Sequence, residues 1–303
     1  MRSRRLSLPE RYDMVRTLGP LSLGSDPTLR LSRREAYWAT RTPDGPATLR
    51  LTRDGAELVA TAYGAGADWV LDRADAVAGL RDDVAGFAEV ARLNPLVARL
   101  AREHSGLRLT ATARVFQQLV PTILGQKVTG IEAKRAHTAL VRHFAEPAPG
   151  PTEQLPTGLS LPPDPGAVAA TPYWVYHPFG VEQKRADTIR RAALVASALD
   201  AAPDATTVTR RLTAIAGIGP WTAAEVVRQT HADADAVSVG DYHIPHMVTW
   251  ALTGRPRGDD ATMLELLEPF RGHRGRVCRL FEVAGLRAPR FGHRMPIRSF
   301  ARF

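Results

Sequence analysis

The sequence predicts an α+β protein in which an antiparallel sheet comes first and helices make up most of the rest. Three observations carry that expectation. From about Tyr12 to Val70, apolar and polar residues alternate in short runs broken by Asp-Gly and Gly. From about Asp68 onward, apolar residues recur at helical spacing. Further on, two helical patterns are joined by nothing longer than Gly217-Ile218-Gly219-Pro220.

The strand-like runs are "TLRLSRREAYWATRT", "PATLRLTRDG" and "AELVATAYG", each alternating as a half-buried strand does. The clearest helical piece after them is "AGFAEVARLNPLVARLAREH". Between Pro147 and Pro165, seven of nineteen residues are proline, which reads as an extended surface connection rather than a linker between domains. No internal repeat is present.

In "FQQLVPTILGQKVTGIEAKRAHTALVRHF", Phe116, Leu119, Val120, Ile123 and Leu124 form an apolar stripe that Gly125 ends. Thr129 with Glu132 makes a capping box for a following helix whose core face would carry Ile131, Ala136, Leu140 and Phe144. Gln126, Lys127 and Val128 are thereby held in a tight turn, where side chains make good wedges or readers.

The segment "IAGIGPWTAAEVV" reads as helix, hairpin, helix. Val208, Leu212 and Ile215 share one helix face, Gly217 suits a positive-φ stop, and Pro220 suits the first position of the next helix. Glycines admit close backbone approach, and successive N–H groups at a helix start make an anion site, with phosphate the expected anion. The plain alternative is an αα-corner that only turns the chain. Asp241 follows in "VSVGDYHIPHMVTWALTG", before a helix expected from near Tyr242 to Gly254 with Pro245 in its first turn. It is either an N-cap or a carboxylate brought to the hairpin, since the residues between Gly219 and Asp241 suffice for one helix and a return loop.

The 303 residues carry 40 Lys plus Arg against 31 Asp plus Glu, a net charge of +9 that suits a polyanionic partner, although an Arg bias also follows from GC-rich coding. The single cysteine, Cys278, excludes a disulfide framework and any four-cysteine zinc or iron–sulfur site within the chain. With no apolar stretch of membrane-spanning length and no leader pattern, a bacterial-type cytoplasmic protein is expected.

"LTAIAGIGPWTAAEVV" followed by "VSVGDYHI" resembles the helix-hairpin-helix and aspartate loop of the DNA glycosylase superfamily. "GLRLTATARVFQQLVPTILGQKVT" and "FGVEQKRADTIRRAALVA" resemble its alkylation-repair branch, 3-methyladenine DNA glycosylase II. The resemblance runs from about Gly106 to the C-terminus, and the N-terminal sheet fits the branch's small domain, which is similar to half of a TATA-binding protein. It implies a sheet domain over 1–90, a helical domain of 91–115 with 242–303, and a second of 116–241 holding the hairpin at about 204–230.

The resemblance further implies that Asp241 is the catalytic carboxylate and that the hairpin (Gly217, Ile218, Gly219, Trp221, Thr222) grips a DNA phosphate, with a Na+ or K+ ion bridging the backbone of Gly217 and Gly219. The damaged base would be flipped out of double-stranded DNA for excision by a monomer. Relatives that also cut the strand carry a lysine two residues after the second hairpin glycine. Here that position is Trp221, so the expected activity is removal of alkylated purines without lyase chemistry, leaving an abasic site, with no cofactor and no iron–sulfur cluster.

Two departures bear on substrate. The wedge position after "ILGQ", commonly leucine, is Lys127, with Gln126 beside it; and a base-pocket position usually aromatic is Glu225, which either lines an acidic pocket or faces solvent. Tyr173 and Trp174 in "TPYWVYHPFG" are expected near the pocket or as loop anchors in the core. Lys184 and Arg185 are the expected phosphate-facing cations of the helix after Gly180. His243 and His246 have a metal-like spacing but lack a third ligand, so no transition metal is expected. The C-terminal Arg287, Arg290, Arg294, Arg298 and Arg302, interleaved with Phe291, Phe300 and Phe303, either track a DNA backbone or form an ordinary basic tail.

Overall fold

The computed structural model describes residues 2–24 and 26–289. Of the C-terminal basic run, Arg287 is described and exposed, whereas Arg290, Phe291, Arg294, Arg298, Phe300, Arg302 and Phe303 lie outside the described residues. Among the described residues no helix is long and apolar enough to cross a membrane.

The fold is α+β, with a five-stranded antiparallel sheet followed by helices. Strand β1 (Arg2–Ser7) is followed by helix α1 (Met14–Leu18), then β2 (Leu29–Leu31), β3 (Glu35–Thr42), β4 (Gly45–Asp54) and β5 (Glu57–Tyr63), in sheet order β1-β5-β4-β3-β2. The alternating runs form the expected strands, while β1 escapes sequence reading. It is an edge strand of mostly exposed charged and polar residues with a single buried one, Leu6, so it shows no apolar alternation. Its charges also suit an open edge.

Period two sorts β3 between two environments. Ala36 and Trp38 enter the main sheet core with Leu49, Leu51 and the short helices α2 (Ala67–Asp72) and α3 (Ala74–Val77), whereas Tyr37 and Ala39 face the other way. The proline-rich segment lies on that second face. Ala148, Leu159 and Leu161 are buried against Tyr37 and Ala39, and Arg41 donates to the Pro162 carbonyl and pairs with Glu146. Residues 147–165 are therefore more than a surface connection. They cover the sheet, which is why β3 is buried along most of its length.

The helical piece over 85–104 forms two helices, α4 (Phe87–Ala91) and α5 (Pro95–Glu103), because Pro95 starts a new helix whose N-cap, Asn94, accepts from the N–H groups of Leu96 and Val97. Then come α6 (Val115–Leu124), α7 (Gly130–Phe144), α8 (Pro165–Ala170), α9 (Gln183–Leu194), α10 (Ala196–Asp200), α11 (Ala205–Thr213) and α12 (Pro220–Thr230), which enclose one apolar core. The last helices, α13 (Ile244–Thr253), α14 (Asp260–Leu267) and α15 (Arg274–Val283), close a further core with α4 and α5. Cys278 is buried there, and burial pushes its thiol pKa up to about 12.

The expected capping box of α7 is present, with Thr129 and Glu132 each accepting from the other's backbone N–H. Ile131 corrects the predicted core face. It is 50% exposed, and the buried face of α7 is Ala133, Ala136, His137, Leu140 and Val141. The sheet unit is fastened to the helices by buried polar links. Asp82 accepts both NH1 (2.8 Å) and NH2 (2.6 Å) of Arg276 and the N–H of Leu109, and the Thr110 hydroxyl donates to the Gln229 carbonyl at the end of α12.

Candidate active site

The hairpin begins earlier than the apolar spacing predicts. Helix α11 ends at Thr213, so Ile215 lies beyond it and packs against the helical core from the loop. Gly217 has φ +100°, as expected, and Gly219 is the extended N-cap of α12 with Pro220 opening the helix. A Cβ at Gly217 would meet the Thr188 hydroxyl of α9 at 2.2 Å, whereas nothing lies within 4 Å of one at Gly219. Ile218 is buried and anchors the tip.

The N–H groups of Gly217, Gly219, Trp221 and Thr222 pass no hydrogen bond to another described residue. Two of these open a helix and so have no intrahelical acceptor. Four such donors beside two glycines form an anion cradle. The carbonyls tell a different story. Gly217 O accepts from Gln126 Nε2 at 3.1 Å, Ala216 O from Arg191 NH1 at 3.1 Å, and Gly219 O from Ala223 N. Each of these oxygens keeps a second lone pair.

Gln126 is placed by the turn between α6 and α7 and donates also to Thr222 Oγ1 at 2.9 Å. It ties that turn to the hairpin. Its neighbour Lys127 is exposed at φ +55°, a left-handed backbone for a residue with a Cβ.

Asp241 stands at the end of the loop from α12 to α13. Its Oδ1 accepts from the N–H groups of His243 (2.6 Å) and Ile244 (2.8 Å), and its Oδ2 accepts from Trp221 Nε1 at 2.9 Å. The N-cap of α13, which starts at Ile244 rather than near Tyr242, is His243, so Asp241 is not the expected N-cap; its Oδ1 instead holds the backbone just before the helix, and its Oδ2 lies one hydrogen bond from the hairpin helix. The loop is staked on either side. Gly240 N–H sits between the two oxygens of Asp260 (3.1 and 3.0 Å), and Asp235 accepts from the backbones of Gly272 and Arg274 and from the Arg274 guanidinium.

Glu225 neither faces open solvent nor lines a purely acidic pocket. It lies one turn beyond Trp221, pairs with Arg228 at 2.7 Å and accepts from the Ser238 hydroxyl. Arg228 is buried, and its Nε and NH1 have no partner among the described residues. Burial works to lower its pKa, but the carboxylate of Glu225, aided by Glu282 and Cys278, outweighs it and holds the value above the usual one.

Other expected residues scatter. Arg185 is buried and structural, donating to Glu182, to the Leu124 carbonyl at 2.6 Å and to the Gly180 carbonyl, so it is not free for phosphate; Lys184 is exposed. Arg191, exposed on the same helix, reaches the hairpin and donates to the Ala216 carbonyl. Sequence reading missed it although it stands two turns beyond Lys184 on the same helix. Tyr173 packs on the helical core with ring contacts to Trp174 and His177, and Trp174 is 61% exposed. No ring contact or hydrogen bond among the described residues links that pair to Trp221 or Asp241. Tyr242, also missed, is 78% exposed beside Asp241, with its ring against His243 and His246. His246 Nδ1 accepts from Gly258 N–H.

No protein-family model matches the chain, and no curated protein matches its sequence. Solved structures do. The chain is similar to a 3-methyladenine DNA-glycosylase from Archaeoglobus fulgidus, at 16% identity and a TM-score of 0.76 over 93% of this chain and 98% of that one. It is similar to the 8-oxoguanine glycosylase/lyase of Clostridium acetobutylicum in its apo form, at 11% identity and a TM-score of 0.69 over 93% and 96%. A DNA-3-methyladenine glycosidase from Bacillus halodurans aligns at 23% identity and a TM-score of 0.50 over 67% and 90%. From the N-terminal sheet through the helix-hairpin-helix to the closing helices, this chain has the fold that these DNA glycosylases share.

Proposed function

We propose that this chain is a monofunctional DNA glycosylase that extrudes alkylated purines from duplex DNA and cleaves their N-glycosidic bond, leaving an abasic site for base excision repair. One observation carries the reading: the free amides of the hairpin and the Asp241 carboxylate are joined through a single side chain, Trp221. A phosphate held at the hairpin would bring the adjoining sugar toward that carboxylate.

Cleavage withdraws electrons from the sugar, so positive charge develops at its anomeric carbon. A fixed carboxylate stabilises that charge and orients the water that replaces the base. A cationic alkylated purine is already an able leaving group and needs little acid assistance. Flipping also costs least for a base that stacks or pairs poorly. Hairpin amides and Arg191 would hold the phosphate, with no step routed through a metal ion. The absence of lyase chemistry rests on Trp221, whose indole offers no amine to form a Schiff base with the sugar.

A second reading has its own support. Because Asp241 Oδ1 accepts two backbone N–H groups at the entry to α13, a binding protein that kept the hairpin would use the residue only to hold that backbone. Within the enzyme class, Lys127 at the turn and the Glu225–Arg228 pair near Trp221 favour a lesion other than a simple alkylpurine.

Base release separates these. Duplexes each carrying one 7-methylguanine, 3-methyladenine or 1,N6-ethenoadenine are incubated with the wild type and Asp241→Asn, and each sample is divided before alkali. Alkali-dependent strand breaks that fall at least ~100-fold in the variant are the expected outcome. Breaks before alkali would show lyase activity, and full activity in Asp241→Asn would leave Asp241 only its backbone-holding role.

A further inference from the structure

We infer that Trp221 is the positioning residue for Asp241, acting through its indole N–H rather than through the face of its ring. The inference rests on the reading of Asp241 as the working carboxylate. The acceptor positions of Asp241 are unequally used. Oδ1 is committed to two backbone donors, His243 and Ile244, which hold that oxygen against the start of α13. Oδ2 takes one hydrogen bond, from Trp221 Nε1 at 2.9 Å, and is the oxygen with acceptor capacity left for a sugar or a water. The two backbone donors already restrain rotation about the Cβ–Cγ bond through Oδ1. The indole supplies the hydrogen bond that bears on Oδ2, so the carboxylate is held at both oxygens.

Trp221 is well mounted for this task. It sits in the first turn of α12, directly after the constrained Gly219-Pro220 pair, and its ring edge reaches the end of α6, where a Cβ at Gly125 would lie 3.8 Å from it. The loop on the carboxylate side is fixed by the Gly240 N–H between the oxygens of Asp260. Donor and acceptor therefore belong to two separately fixed pieces of backbone, and their hydrogen bond sets the orientation of Oδ2 before any DNA arrives. An indole N–H only donates. It therefore orients the carboxylate without exchanging a proton with it.

Phenylalanine at position 221 keeps a ring and loses the donor, while histidine restores a ring N–H. Single-turnover base release is followed on a lesion the wild type processes. Loss of a hydrogen bond to a charged group predicts a maximal rate roughly 10- to 100-fold lower in Trp221→Phe, with half-saturating DNA concentration changed less than ~3-fold. Trp221→His should recover part of the rate. An unchanged rate in Trp221→Phe, or a loss confined to DNA affinity, would overturn the inference in favour of ring stacking.

A second readout needs no turnover. The Trp221 indole 15N–H resonance, assigned by its loss in Trp221→Phe, should shift in Asp241→Ala, which removes the acceptor. If the wild type releases no base the glycosylase reading fails, and this comparison still decides the pairing. A resonance that ignores Asp241 would sink it.

Discussion

Thr188 fills the space that a side chain at Gly217 would need: its hydroxyl would lie 2.2 Å from a Cβ there, while the Cβ of a residue at Gly219 would meet nothing within 4 Å. The two glycines of the hairpin thus answer to different demands. Gly217 serves the fold twice over, through its φ of +100° and its packing on α9. Gly217→Ala should lower stability by about 2 kcal/mol or more in denaturant unfolding. Gly219, at φ −108°, has no such constraint within the protein, so Gly219→Val should unfold like the wild type and yet bind duplex DNA more weakly at matched salt. Equal affinity would remove the reason for proposing a phosphate there.

Arg185 and Arg191 lie on one helix and should behave oppositely. Arg191→Ala should lower DNA affinity and reduce the slope of log K against log salt by about one unit, with little change in Tm. Arg185→Met removes the partner of Glu182 and strands the Leu124 and Gly180 carbonyls, so it should lower Tm. If Arg185→Met changed only the salt slope, the structural assignment would be wrong.

Lys127 pays for its place at the turn with a left-handed backbone, φ +55°. Lys127→Gly should relieve that strain and raise stability by about 1 kcal/mol. If the lysine serves the DNA gap, the same variant should lose affinity for a lesion-bearing duplex relative to an undamaged one. Stability and discrimination measured together check both halves.

Asp235 anchors the start of the carboxylate loop to Gly272 and Arg274. Burial works to raise its pKa, but hydrogen bonds from the Arg274 side chain and backbone outweigh it and hold the value below the usual 3.8. A depressed folded-state value means the carboxylate adds stability above the unfolded-state pKa and loses it as pH falls through the lower folded-state one. Asp235→Asn should therefore cost about 1–2 kcal/mol near pH 7, and wild type and variant should converge as pH drops below about 4. A gap that stays constant down to pH 2 would point to packing instead.

The sequence by itself determined whatever is written within a few neighbouring residues. The Thr129–Glu132 capping box, the positive φ of Gly217, Pro220 opening α12 and Gly254 closing α13 are local chemistry, and each stands where its residues predict, although α11 itself stops earlier, at Thr213. Alternation likewise located β3, β4 and β5, because a half-buried strand has to alternate. Tertiary structure decided what depends on distant partners. Edge strand β1 carries charge instead of a pattern. Residues 147–165 turned out to be the cover of the sheet, because the strands they cover lie a hundred residues upstream. Ile131 and Arg185 traded places, one exposed and one buried, since helical spacing names a face without saying what lies opposite. The site follows the same division. Asp241 and the hairpin were legible as pieces, but only the return of the loop onto α12 set Trp221 Nε1 2.9 Å from Asp241 and paired Glu225 with Arg228 and Ser238. A hydrogen bond between side chains twenty residues apart is fixed by how two elements pack, and no local pattern encodes that.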